Sequence, residues 1–409
     1  MRVCVVGGGA AGCMAAIAAA ECGAEVLLLE RNEKLGKKLY ITGKGRCNLT
    51  NGCDRETFFQ NVISNPKFLY SAFGRFNNLA VMRFFEENGC PLKVERGNRV
   101  FPVSDKASDI ISVLRKKLER LGATVKYGQN VVSLELVGNE VTGVRTETDR
   151  FACGRVILAC GGKSYPLTGS DGLGYRLAAQ AGHTLVEPVP SLIELKTDPG
   201  PIAGLAGLSL RNVAVSVVRN GETLNSEFGE MLFTHEGVSG PCVLTLSARI
   251  NRLNLRGLAI SIDLKPALDE RTLDQRILRD FSSRQNKLLR NALDELLPRS
   301  MIANVLNASE LDPDKSVNAV TAEERRRLVH TLKDYRIGIR SLGPVEAAVV
   351  TAGGVRVNEV SPKTMESRLC RGLYFAGEML DLDALTGGFN LQIAFSTGWC
   401  AGSSAACEN

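Results

Sequence analysis

The feature that most constrains this chain is the hexapeptide Gly7-Gly8-Gly9-Ala10-Ala11-Gly12, set between two short apolar runs, Val3 to Val6 and Ala24 to Leu29. Such continuous apolar runs read as strands buried on both faces. The alanine-rich stretch Ala10 to Cys22 suits a helix packed closely on a sheet, and Gly23 fits its C-terminal cap. Strand, glycine turn, helix and strand make a βαβ unit, the context in which GxGxxG is a dinucleotide fingerprint. Gly7 permits the tight turn, Gly9 lets the backbone approach a pyrophosphate, and Gly12 lets the helix lie against the strand. The helix N-terminus offers N–H groups to the anion. Glu30 ends the second strand, where an acid accepts hydrogen bonds from an adenosine ribose.

The same segment explains why Val3 to Ala20, uncharged and preceded by Arg2, is not read as a signal peptide or membrane span. Gly7-Gly8-Gly9, Gly12 and Cys13 interrupt it, and a strand follows at once. Twelve cysteines are scattered with no CxxC spacing, so neither a zinc knuckle nor a thioredoxin-type pair is indicated. Many replace a small apolar residue, as in Val3-Cys4-Val5, which reads as reduced thiols in a cytoplasmic protein. The net charge of +6 favours anionic ligands such as phosphates without indicating nucleic acid. Three lone histidines give no metal site; His183 at a helix end and His330 in a charged helix read as structural.

A length of 409 residues suggests two or three domains. A Gly/Lys/Asn-rich loop spans Asn32 to Cys53, and helical patterning runs from Asn65 to Asn88. Ser104 and Asp105 are placed to cap a helix that stops at Gly122. Strands are expected at Val125 to Tyr127, Val131 to Leu136, Val141 to Thr148 and Val156 to Ala159, the middle two forming a meander. From about 191 to 265 the pattern is short alternating strands, with Asn220-Gly221 as a hairpin turn. From Leu268 to Tyr335 it is helical and charge-rich, and after Gly343-Pro344 buried strands and glycine turns return. The fold expected is therefore α/β: a dinucleotide-binding domain from 1–187 and 341–409, an inserted β subdomain from 188–267 with a return near 337–352, and a helical subdomain at 268–336.

NAD and FAD share the fingerprint, so the rest of the chain decides. Arg155 to Ala159 is a buried strand running into Cys160-Gly161-Gly162. Gly372 to Phe375 is another, followed by Ala376-Gly377-Glu378, and Gly387-Gly388-Phe389-Asn390-Leu391-Gln392 opens an apolar helix. This C-terminal return places Glu378 toward a ribityl hydroxyl and the positive helix end toward the flavin N1/O2 edge, which favours FAD.

Five segments carry a resemblance. They are Lys37 to Asn51 (KKLYITGKGRCNLTN), Gly161-Gly162-Lys163-Ser164-Tyr165-Pro166, Phe233 to Pro241 (FTHEGVSGP), Thr351-Ala352-Gly353-Gly354-Val355, and Gly377 to Gln392. In residues and order the chain resembles the BaiN-type flavoprotein family, also described as YhiN-like or aminoacetone-oxidase-like. The resemblance implies a Rossmann-like FAD domain of glutathione-reductase type, with an inserted β-barrel-like domain bearing helices. It also implies an NAD(P)H-linked flavoenzyme, some members being assigned to reduction of steroid or bile-acid double bonds. It puts Gly7, Gly9, Ala11, Gly12, Glu30 and Arg31 on the ADP half, and Lys38, Gly45, Arg46, Cys47 and Asn48 along the pyrophosphate and flavin. Val132 offers backbone to adenine. Gly161, Gly162, Gly377, Glu378, Gly388, Asn390 and Leu391 hold the ribityl chain and ring. One departure is Gly169-Ser170-Asp171-Gly172-Leu173-Gly174-Tyr175, where the family usually has Gly-Ser-Thr-Gly-Asp-Gly-Tyr: the acid has moved two places.

The candidate catalytic residues are Tyr165, as a proton donor or a ring packed on the flavin, and His235, in a glycine-rich loop. Lys163 and Arg46 read as anion contacts or solvated groups, and Cys47 as packing rather than a redox thiol. Arg325-Arg326-Arg327 is interleaved with acids and reads as a solvated helix face rather than an RNA site. The sequence thus points to an FAD-dependent oxidoreductase acting on a small molecule, an unsaturated carbonyl compound by the resemblance, with NADH or NADPH as transient donor. No second GxGxxG provides a dedicated nicotinamide domain. The alternatives are an oxidase of a small amine or amino-ketone, an RNA-associated flavoprotein, and a sensor without turnover.

Overall fold

The computed structural model describes residues 1–407. The chain divides into two compact units, Met1–Ser191 with Val345–Asn409, and Leu192–Pro344.

The first unit is built on a parallel sheet. β1 (Arg2–Val6) lies between β2 (Glu25–Leu29) and Arg155–Leu158; Thr124–Lys126 extends the sheet beyond β2, and Leu373–Phe375 beyond Arg155–Leu158. The register sets Val6 beside Leu29 and Leu158, so all three strands end at one edge. Val3 to Val6 and Val26 to Leu29 are buried, as expected for strands covered on both faces. The helix α1 (Ala10–Glu21) is buried from Ala11 to Ala19. It has no polar stripe because the C-terminal helix, Phe389–Ala406, packs on it. A Cβ at Gly398 or Gly402 would overlap the carbonyl oxygens of Ala11 or Ala15, so only glycine permits this close approach.

Around the sheet lie an antiparallel meander (Val131–Val137, Glu140–Thr146, Arg150–Ala152) and an antiparallel pair, Leu185–Ser191 with Val350–Val355. The third meander strand was not expected from the sequence. The expected helical stretch 65–88 is three pieces, Pro66–Leu69, Tyr70–Arg75 and Asn78–Glu87, the last capped by the Asn77 side chain on Ala80 N–H. The expected loop 32–53 holds a kinked 3-10 segment, Leu39–Gly45, and a short strand, Thr50–Asn51. Ser104 and Asp105 do not cap the helix Ala107–Arg120, which starts after Lys106 without a side-chain cap. Asp105 has a left-handed backbone, φ 58°, and its carboxylate is spent on Arg46 and Lys93.

The second unit is a closed six-stranded barrel in the order Leu195–Thr197, Gly237–Ser239, Glu222–Phe233, Ser209–Arg219, Leu258–Asp263, Tyr335–Leu342. Val213, Val215, Val217, Ile260, Ile262 and Ile337 point into its core by strand alternation. Asn220 and Gly221 both have positive φ, 51° and 86°, the geometry of a two-residue hairpin turn. Helices Glu270–Ser282, Arg299–Ala308 and Ala322–Lys333 share this core. Ion pairs in this segment join Arg325 with Asp274, Arg284 with Asp294 and Glu295, and Lys315 with Glu324. The segment read as all-strand also contains a helix, Pro241–Ile250. Gly240 and Pro241 start it, and Cys242, Val243, Leu246 and Ile250 are its buried face.

Among the described residues, no helix is long and apolar enough to cross a membrane.

Candidate dinucleotide site

The glycine turn lies at the edge where β1 and β2 end. Gly7 has φ 101° and donates to Leu29 O at 2.8 Å; a Cβ there would meet Ala159 O at 2.6 Å. A Cβ at Gly12 would overlap the Gly7 carbonyl. Gly9 differs: it has φ −79°, and nothing lies within 4 Å of where its Cβ would be. Space for a ligand therefore opens at Gly9, while Gly7 and Gly12 serve the turn itself. Ala11 is buried against Gly377, whose Cβ would come 2.7 Å from that of Ala11.

Glu30, 6% exposed, braces the turn. One carboxylate oxygen accepts from Gly8 N–H at 2.7 Å, and the other from the Asn32 backbone and side chain, both at 2.8 Å. Arg31 extends from the same strand end to Asp171 at 2.5 Å.

Glu378 is the centre of a second network. Lys38 Nζ donates to one Glu378 oxygen at 2.8 Å and to Ser164 Oγ at 2.7 Å. The other Glu378 oxygen accepts from Ser164 Oγ and Thr351 N, both at 2.9 Å. Burial pushes this carboxyl up, but Lys38, the Thr351 amide and Ser164 outweigh it, and Glu378 is held below the ordinary carboxylate range. Gly162 fits here because a Cβ would overlap the Thr351 hydroxyl and crowd Glu378 at 2.9 Å. Lys38 is thus a partner of Glu378 and Ser164. The roles of Ser164 and Thr351 were missed, although both lie in the segments singled out; nothing local in sequence pairs residues 187 apart.

The segment Gly43-Lys44-Gly45-Arg46-Cys47 has positive φ at all positions but Arg46. Arg46 is engaged within the protein itself. It pairs with Glu95 and with Asp105, and its guanidinium lies 4.1 Å from the Phe101 ring centroid. Cys47 is fully buried, and burial pushes its thiol up to about 12, which suits packing rather than redox chemistry. Lys163 donates its backbone N–H to Thr351 Oγ1 at 2.8 Å.

Gly388 caps the C-terminal helix at φ 100°, where a Cβ would overlap Thr50. Asn390 closes the preceding loop on Ala384 N, at 2.9 Å, and Ala384 O, at 2.7 Å. Leu391 is half-buried and Val132 is 39% exposed. Tyr165 is half-buried with φ 55°; its N–H is held by Glu346 O at 2.9 Å, and Lys38 Nζ lies 5.8 Å from its ring centroid. His235 is exposed at the turn between Glu222–Phe233 and Gly237–Ser239 in the second unit. His183 is buried against Ser367 Oγ at 2.7 Å, and burial holds its ring below the usual histidine range.

The residues fit a dinucleotide. Besides the open space at Gly9, the buried polar atoms of the first unit that have no hydrogen-bond partner include Gln129 Oε1 and Ser170 Oγ. Gln129 is tied to this edge by its N–H on Glu30 O at 2.9 Å, and Ser170 by its place beside Gly161. Polar groups left unpaired in this way await a polar partner. No group of His, Cys, Asp and Glu suited to a metal ion occurs among the described residues.

The family model described as the HI0933-like protein Rossmann domain matches residues 1–404. The chain belongs to the HI0933-like family. It is 34% identical over 413 aligned residues to a 3-dehydro-bile acid delta(4,6)-reductase of Clostridium scindens, covering 99% of each chain. It is 31% identical to a ribosomal RNA dihydrouridine synthase of Escherichia coli, covering 97% of this chain and 96% of the relative. Among solved structures, a 3-ketosteroid-delta4-(5alpha)-dehydrogenase of Rhodococcus jostii shares the fold with a TM-score of 0.51. Identity is 17%, with 99% of this chain and 96% of that one covered. The architecture of this HI0933-like chain is mixed α/β of the Rossmann, FAD-binding type, with a closed barrel in the second unit.

Proposed function

We propose that this chain, an FAD-dependent oxidoreductase, uses NADH or NADPH to saturate a carbon–carbon double bond conjugated to a carbonyl group in a steroid- or bile-acid-like small molecule. The observation that carries the reading is kinship over 99% of both chains with a bile-acid reductase. The names of both relatives describe saturation of a double bond beside a carbonyl, one in a steroid ring and one in uridine. Substrate is what separates them.

Bound FAD would supply a hydride from N5 to the substrate carbon. The chain's part is to bind, orient and protonate. The turn from Gly7 to Gly12 and the α1 N-terminus would hold the pyrophosphate. Lys38, Ser164 and Thr351 hold Glu378 in place, where it would receive the ribityl chain, and the helix from Gly388 would offer its positive end to the flavin. Tyr165 is the proposed proton donor, because its backbone is pinned by Glu346 O and by Thr168 Oγ1 on Tyr165 O at 2.7 Å. His235 is the second candidate.

Uridine in ribosomal RNA is the second reading, favoured by the 31% identity to the dihydrouridine synthase. Against it, Arg284, Lys315 and Arg325 of the helical segment are each paired with acids, which takes three cations out of any stripe that could track a phosphate backbone.

The test is anaerobic mixing of the flavin-loaded protein with NADH or NADPH, following absorbance near about 450 nm. Bleaching by one nucleotide, then reoxidation by a 4,6-unsaturated 3-oxo steroid but not by ribosomal RNA, is the expected result. Reoxidation by RNA alone would transfer the activity to uridine. A flavoprotein that neither nucleotide bleaches would sink the reductase reading.

A further inference from the structure

The loop 166–172 is tied to the end of β2 by side chains outside the glycine fingerprint. Asn32 Nδ2 donates to the Thr168 carbonyl at 3.0 Å. Arg31 Nη1 meets one Asp171 oxygen at 2.5 Å, and the other accepts from Leu173 N–H at 3.0 Å, at the start of helix Leu173–Gln180. Between these ties lies Ser170, 5% exposed, with a buried hydroxyl that has no partner. Ser170 Oγ sits against Gly161, 2.7 Å from where a Cβ of that glycine would be. Gly161 follows the strand paired with β1. The unpaired hydroxyl therefore lies at the sheet edge where β1 and β2 end, which in this fold is the ribose and pyrophosphate end of a dinucleotide. A buried hydroxyl left unpaired is disfavoured, so its placement calls for a partner brought by the ligand.

We propose that the loop 166–172 is a clasp over the adenosine half of bound FAD. Ser170 hydrogen-bonds the cofactor, and the Arg31–Asp171 pair holds the loop shut and slows release. The inference rests on the FAD reading above and adds Ser170 and Asp171 as residues of that site. Both partners of the pair are about a third exposed, at 36% and 35%. Such a pair adds little to folding stability, so the loop can open without unfolding the sheet beneath it.

The experiment titrates apoprotein with FAD by quenching of flavin fluorescence, and times FAD release after dilution. Ser170→Ala is expected to raise Kd by about 3- to 10-fold, the loss of one hydrogen bond. Arg31→Gln and Asp171→Asn are each expected to speed release by roughly 3- to 5-fold, with no further gain in the double variant. The charge-swapped pair, Arg31→Asp with Asp171→Arg, is expected to restore slow release at low salt and lose it at high salt. Melting of each apoprotein separates loss of the cofactor contact from loss of the fold. If wild type binds FAD and all three single variants bind and release it like wild type, the clasp is wrong. If wild type itself takes up no FAD, the FAD reading falls first and the clasp with it.

Discussion

Replacing Lys38 with Met isolates the worth of the buried network around Glu378. The two side chains are 24% and 20% exposed. Removing one partner of a fully buried pair costs about 3–5 kcal/mol, because a charge is left without compensation. Here partial exposure and the remaining bonds from Ser164 and the Thr351 amide reduce that to about 2–3 kcal/mol. The penalty has a pH signature. In the wild type the Glu378 carboxyl is held low, so it contributes stability above the unfolded value of about 4.3 and loses it as pH falls through the folded value. Without Lys38, burial dominates and the folded value rises above the unfolded one. The variant then carries its full penalty at pH 7 and sheds it as the carboxyl protonates, so the gap to wild type narrows toward pH 4.5. Urea unfolding of both apoproteins at pH 7 and pH 4.5, followed by circular dichroism, measures this; the transition of the sheet-bearing unit is the one that moves. The double variant Lys38→Met/Glu378→Leu should recover at least half of the loss. A Lys38→Met protein with the wild-type midpoint at pH 7, or an equal gap at both pH values, would refute the reasoning.

Gly9→Ala should leave apoprotein stability within about 0.5 kcal/mol of wild type, since its φ is ordinary and its Cβ meets nothing, yet weaken FAD at least tenfold by filling the approach. Gly12→Ala should instead lose soluble folded protein, because its Cβ overlaps the Gly7 carbonyl; equal behaviour of the two variants in melting and FAD titration would contradict the assignment. Brief alkylation at pH 8 with peptide mapping should label the exposed Cys22 and Cys407 and spare Cys47 until the chain is unfolded; early labelling of Cys47 would show that its burial is wrong. Tyr165→Phe should slow substrate reduction about 100-fold and leave flavin bleaching by the nicotinamide nucleotide unchanged in stopped flow; an unaltered turnover would pass the proton role to His235.

The βαβ unit was legible because its signals are local and agree: apolar runs, an alanine helix, Gly23 with φ 85°, and Glu30 at a strand end. The barrel hairpin at Asn220-Gly221 was legible for the same reason. The helix Pro241–Ile250 was lost inside a stretch with strand-like neighbours, although Gly240-Pro241 marked its start. The partners of Arg46 and Lys38 were not legible because Glu95, Asp105 and Glu378 are 49, 59 and 340 residues away. Sequence shows that a lysine exists; only the fold shows what it is already holding. The displaced acid of the Gly169 to Tyr175 segment was visible, but its partner Arg31 was not.

The strand Leu373–Phe375 pairs with Arg155–Leu158, roughly 215 residues earlier in the chain. On a ribosome adding about 5–20 residues per second, the first four strands wait about 10–40 seconds for the fifth. For that interval α1 has no C-terminal helix to cover Ala11 and Ala15, and an apolar surface is bare. The barrel unit, Leu192–Pro344, is continuous in sequence and leaves the tunnel whole in the meantime. Synthesis therefore presents a completed insert hanging from an unfinished host, a state in which a holdase chaperone has something to grip and FAD has nowhere to settle. Chains stalled before residue 373 should be retained by such chaperones and remain colourless, and yellow colour should mark the last stage of biogenesis rather than the first.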